Sequence, residues 1–171
     1  MSLITASASQ LIASQVPLRS APPAWRSVKE QFFGTWKLVS WKMQKPSGEL
    51  IDSPLGPDPL GWIMYQPEGH MSVVLTRPDR PKFASNNLME ATTEEVETAF
   101  EGYISYCGSY EVNEKERSVT HHLQLSWFPN LIGTEQKRFF EFAGDRLTLK
   151  TPPLSVLGEA QVHRLTWQRL M

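Results

Sequence analysis

The chain holds a single cysteine, Cys107, which excludes an internal disulfide framework and a multi-cysteine zinc site. No apolar run approaches the roughly 18 residues that a helix needs to span a bilayer. Charge of either sign is not in excess: 17 Lys and Arg against 18 Asp and Glu leave a formal net charge of -1. Such a balance offers nothing to a polyanion, so neither nucleic acid nor a membrane is an expected partner. A Gly-x-Ser-x-Gly nucleophile elbow, a glycine-rich phosphate loop and a His-Glu-x-x-His motif are also missing. Covalent catalysis, hydride transfer and phosphoryl transfer therefore lack their parts, and no cofactor is expected. Four histidines are present, but His121 and His122 are adjacent and point to opposite faces of a strand, so no metal site is expected.

Residues 1–28 contain no Asp or Glu and are rich in Ser, Ala and Pro. Leu3-Ile4 and Leu11-Ile12-Ala13 are too short for the apolar centre of a secretory leader. The acid-poor, Ser-rich bias has some likeness to an organelle transit peptide. We read residues 1–30 as a flexible tail, broken by Pro17, Pro22 and Pro23, and residues 31–171 as one domain. Trp25 to Phe33 is expected to form a short helix that caps a barrel.

What the chain has in quantity is aromatic residues, with six Trp, four Tyr and eight Phe, and short apolar runs separated by turn residues. Phe32-Phe33-Gly34-Thr35-Trp36 opens the first run, which continues to Trp41. Further strands are expected at 61–65, 70–75, 106–112, 117–127, 135–142, 147–151 and 159–169. Every proline from Pro46 onward falls between these runs, as a sheet requires, because proline cannot donate to the ladder. Residues 52–60 read as a loop. Thr92 and Glu95 stand at capping-box spacing, and Val96, Ala99, Phe100, Tyr103 and Ile104 follow with helical period. This helix is either a lid over one end or a helix packed on the outer wall. The expected fold is all-β: an up-and-down antiparallel barrel of about eight strands with one helical insertion, wide enough inside for one small ligand.

Several motifs are similar to those of the lipocalin-like (calycin) proteins, and the chain resembles the small single-domain lipocalin-like family of bacteria and fungi. They are Gly34-Thr35-Trp36-Lys37-Leu38-Val39-Ser40, Gly61-Trp62-Ile63-Met64-Tyr65 with Pro67-x-Gly69-x-Met71-Ser72, and Tyr106-x-Gly108-x-Tyr110. Val119-Thr120-His121-His122, Gly133-Thr134-Glu135-Gln136-x-Arg138, Gly144-Asp145-Arg146-Leu147-Thr148-Leu149 and Leu165-Thr166-Trp167 complete the set. The resemblance spans nearly all of residues 31–170 and implies a ligand-holding barrel. Secreted lipocalins carry a leader and usually a disulfide; lacking both patterns, the chain is expected to be cytoplasmic.

Strand alternation assigns faces, since residues two apart share one. Val119, His121, Leu123, Leu125 and Trp127 form an apolar face that takes His121 inward and leaves His122 outward. Gln136, Arg138, Phe140 and Phe142 share a face, as do Tyr106 and Tyr110, and as do His163, Leu165 and Trp167. A bulge would exchange His121 for His122. An inward Arg138 needs a partner, either a structural carboxylate such as Glu111 or an anionic ligand group. His121 is either a core histidine satisfied by a tyrosine or an acid/base. Arg164 is expected to pack on Trp36 at the closed end, with Gly34 as the structural turn.

These residues suit a reaction without a cofactor. His121 would move a proton, Arg138 would stabilise developing negative charge, and Tyr110 and Tyr106 would orient the substrate. Tyr65, Met71, Tyr106, Trp127, Gln136, Phe140 and His163 form the expected ligand-contacting set. The function expected first is a cofactor-free cyclase or isomerase of a polyketide- or terpenoid-like intermediate. The alternative is a non-catalytic carrier or chaperone for a small hydrophobic molecule. A homodimer is compatible with both.

Overall fold

The computed structural model describes residues 27–156 and 158–170. The expected tail over residues 1–26, and Trp25 of the expected capping helix, lie outside them. The described chain forms β1 (Gly34–Gln44), β2 (Leu50–Asp52), β3 (Leu60–Tyr65), β4 (His70–Thr76), α1 (Thr93–Glu101) and β5 (Tyr103–Asn113). It continues with β6 (Ser118–Ser126), β7 (Glu135–Ala143), β8 (Arg146–Lys150), β9 (Leu154–Val156) and β10 (Glu159–Arg169). The strands lie in the order β2-β1-β3-β4-β5-β6-β7-β8-β10-β9, and antiparallel pairing of β1 with β10 closes the sheet. Eight of the ten strands form an up-and-down barrel; β2 and β9 are three-residue additions at one rim. Neither addition is among the expected strands, and β2 overlaps the expected loop over residues 52–60 only at Asp52.

One end of the barrel is plugged. A 3-10 turn at Glu30–Phe32 drops the fully buried Phe32 ring among Tyr65, Phe140 and Phe142, edge-to-face at 5.0–5.1 Å between centroids. Gly34, with φ at 110°, then turns the chain into β1, a conformation that only glycine adopts cheaply. Trp36 lies beneath, its Nε1–H donating to the Phe32 carbonyl at 2.8 Å. The cation stacked on Trp36 is Arg169, at 4.0 Å from the ring centroid, and not Arg164. The register is the cause: β1 and β10 set Trp36 opposite Arg169 and Lys42 opposite Arg164, and Arg164 is exposed on the outer face. Arg169 also donates to the carbonyls of Phe33 and Gln31, tying the last strand to the plug.

Two bulges break the alternation. Between Leu38 and Ser40 the β1–β10 register slips, leaving Val39 half-exposed on the outside. Trp36 and Trp41, five positions apart, consequently both point inward and are buried. Opposite Cys107 and Gly108, β6 carries an extra residue between Leu123 and Leu125. A Cβ on Gly108 would sit 1.9 Å from the His122 carbonyl oxygen, so glycine is required for this close approach. Because this slip comes after His122, His121 stays inside, whereas Leu125 is turned out and is 65% exposed.

The capping box forms as the spacing predicts: Thr92 accepts from the Glu95 N–H at 3.2 Å, and Glu95 accepts from the Thr92 N–H at 2.9 Å. The helix ends at Glu101, however, and Tyr103 and Ile104 pair with Thr76 and Leu75 in the sheet. Local helical period there gives way to ladder pairing across β4. None of the residues of α1 is buried. It meets the barrel at the open end, where Phe100 stacks on Trp127 at 5.8 Å.

Candidate ligand-binding site

Above the plug, the barrel encloses a partly open cavity of about 250 Å³. Its walls are Ile63, Val73, Leu75, Leu149 and Leu165, with Trp167 below and Trp41 and Trp127 nearer the rim. Residues from all eight barrel strands and from β9 converge here, so the site exists only once the barrel closes. Of the residues expected from alternation, His121, Arg138, Tyr106, Trp127, Gln136 and His163 line the cavity. Tyr110, Tyr65, Met71 and Phe140 are buried but do not line it. Tyr110 donates to the Gln66 carbonyl at 2.9 Å and packs against Phe32 and Tyr65, which places it in the plug and not beside the cavity. Phe140 and Met71 belong to the core cluster around the same plug. They share an inward face with the cavity residues but stand at a different depth.

His121 is fully buried on the cavity floor. Its Nε2 lies 2.7 Å from the Tyr65 hydroxyl and its Nδ1 lies 3.3 Å from that of Tyr106. Burial, with the nearby Arg138 and His122 charges adding to it, holds the imidazole well below its usual pKa, so it is neutral at ordinary pH. Burial likewise raises the Tyr65 and Tyr106 hydroxyls, with Arg138 pulling both partly back. His163 is also shifted down, by burial and then by Arg138.

Arg138 is half-buried and donates to the Lys137 carbonyl at 2.8 Å and, at 3.5 Å, to the Gln136 amide oxygen. Among the described residues no carboxylate is paired with it. The expected alternative, Glu111, is exposed on the outer face, 3.9 Å from His122, because β5 parity turns it away from Arg138. No Asp or Glu lines the cavity, so Arg138 is the fixed charge of its lining. No group of three or more His, Cys, Asp or Glu able to hold a metal ion occurs among the described residues.

Trp41, Trp167 and the aliphatic wall were not expected at the site. Alternation counted from Trp36 puts Trp41 outside, and the bulge at Val39 reverses it. Trp167 was readable as inward, since it shares the face of His163, but its contact with the cavity depends on depth along the barrel.

A closed antiparallel barrel with an apolar, cation-bearing cavity at one end is a barrel built to bind a small hydrophobic ligand. The chain belongs to the lipocalin-like domain family, which it matches over residues 33–170. A fungal relative, the 4'-hydroxy-3'-methoxypropiophenone carrier protein ppsC of Aspergillus oryzae, is 35% identical over 107 residues, covering 58% of this chain and 96% of that protein. No solved structure matches the chain. Among the described residues no helix is long and apolar enough to cross a membrane.

Proposed function

We propose that this protein is a non-catalytic carrier for a small aromatic intermediate of the aryl-ketone or polyketide type. The observation that carries this reading is the cavity itself, whose lining is aromatic and aliphatic, with one guanidinium that no described carboxylate neutralises. Its small volume suits a single-ring molecule better than an extended chain, and the fungal relative is a carrier of such a compound. Carriage is favoured over acid/base catalysis by the state of His121. Both of its ring nitrogens are engaged by tyrosine hydroxyls, so it has no free nitrogen to present to a substrate.

The cyclase or isomerase reading keeps one specific support. The Tyr65–His121–Tyr106 chain ends at the cavity beside Arg138, so Tyr106 can give a proton to a bound oxygen and take it back later in the reaction, its phenolate oxygen held meanwhile by the Nδ1–H of His121. Titration with 4'-hydroxy-3'-methoxypropiophenone, followed by tryptophan fluorescence and recovery of the ligand, separates the readings. Saturable binding with the compound returned unchanged supports the carrier. A converted product would move the assignment to the isomerase, and failure to bind either this compound or any molecule from producer extracts would overturn both.

A further inference from the structure

Resting on the carrier reading, we infer that the cavity selects ligands by their hydrogen-bond polarity. It takes a small aromatic molecule whose polar atoms are acceptors, such as a ketone, ether, phenolate or enolate oxygen, and it rejects donors and cations. The Nε1–H groups of Trp41, Trp127 and Trp167 are buried with no partner, and all three side chains line the cavity. His163 Nε2 is buried and unpartnered as well. A buried donor without an acceptor is costly, so the three indole N–H groups around one cavity call for an occupant that satisfies them.

The side-chain oxygen acceptors of the lining are, in contrast, already engaged. Gln136 Oε1 faces Arg138, and the Thr151 hydroxyl accepts from the backbone N–H of His163 at 3.0 Å. The network also fixes the direction of the tyrosine chain. The hydroxyl of Tyr65 has His121 Nε2 as its hydrogen-bond partner among the described residues, so its proton goes there. Nε2 is then the acceptor, Nδ1 carries the imidazole hydrogen, and that hydrogen is donated to Tyr106 Oη. The proton of Tyr106 is left for the cavity. Trp41, Trp127, Tyr106 and Arg138 thus present donors to an interior that contains no carboxylate.

The test compares three probes of one skeleton on the full chain: acetophenone, isopropylbenzene and protonated 1-phenylethylamine. Acetophenone is expected to bind at least about tenfold more tightly than isopropylbenzene, roughly the worth of one or two hydrogen bonds. The ammonium should not bind measurably. With 15N-labelled tryptophan, the indole N–H signals should move on addition of acetophenone and not of isopropylbenzene in the same pattern. Trp41→Phe and Trp127→Phe, which keep an aromatic ring and remove the N–H, should each narrow the acetophenone-to-isopropylbenzene ratio several-fold. Equal affinities for the ketone and the hydrocarbon, or tighter binding of the amine, would overturn the polarity inference and leave the carrier reading standing. No binding by any of the three, nor by the propiophenone above, would remove the carrier reading and the inference with it.

Discussion

The two ends of the barrel are built from the same residue types and finished in opposite ways. At the plugged end, Trp36 Nε1–H, the Tyr110 hydroxyl and the Arg169 guanidinium all reach backbone carbonyls, and the rings of Phe32, Tyr65, Phe140 and Phe142 fill the space between them. At the open end, Trp41, Trp127 and His163 keep buried nitrogens unsatisfied, and Arg138 finds amide oxygens but no described carboxylate. An interior that satisfies its own polar groups stabilises the fold and has nothing left for a ligand. One that leaves donors exposed to a cavity gives up some stability and retains binding capacity.

That contrast can be broken by substitution, and the plug should show the largest effect. Trp36→Ala should destabilise by about 3–5 kcal/mol, as expected for a large buried ring, and urea unfolding would register it. A loss under about 1 kcal/mol would mean that the plug is not a stability centre. Arg169→Met should cost about 2 kcal/mol, through the lost contacts with Trp36 and with the carbonyls of Phe33 and Gln31.

The pH dependence lies between the two ends. His121 has a folded pKa well below 6.5, so the unfolded chain takes up the proton first as pH falls. Stability should be level above pH 6.5 and decline below it, by up to about 1.4 kcal/mol per pH unit for this group. His121→Gln, which can still bond both tyrosines, should make the decline between pH 6.5 and 5.5 shallower and leave the part that His163 contributes. An unchanged slope in that variant would assign the pH dependence to other groups.

Arg138→Met should do the reverse of the plug variants. Ligand affinity should fall about tenfold or more, while unfolding stability stays within about 1 kcal/mol or rises, because a half-buried charge without a carboxylate partner contributes little to the fold. Unfolding of this variant at ordinary temperature would place Arg138 with the structural residues. Arg164→Ala sits at the bottom of the scale, with a change within about 0.5 kcal/mol and no effect on binding. Its comparison with Arg169→Met tests directly which arginine belongs to the plug.

Much of the barrel was legible because its strands obey alternation over long stretches. Gln136, Arg138, Phe140 and Phe142 share the inner face of β7 as read, and His121 and His122 divide as read, since the β6 slip comes after them. What alternation cannot report is depth. Tyr110 and Tyr106 face the same way, yet one belongs to the plug and the other to the cavity, because strand tilt and register set their height in the barrel. Nor can alternation report a bulge: Trp41 came inside through Val39, an ordinary residue in an apolar run. The short strands β2 and β9 were hidden for a related reason, since three residues are too few to establish a period.

The class of fold, the faces of most strands and the polarity of the interior follow from the residue order alone, because these depend on side-chain period and on where prolines and glycines stand. Which arginine stacks on Trp36, which aromatic residues surround the cavity and which N–H groups are left unpaired were settled by the assembled barrel. Those outcomes depend on the register of β1 against β10 and on two single-residue slips. A shift of one residue along a ladder barely changes local energy, but it reverses which side chains face the interior.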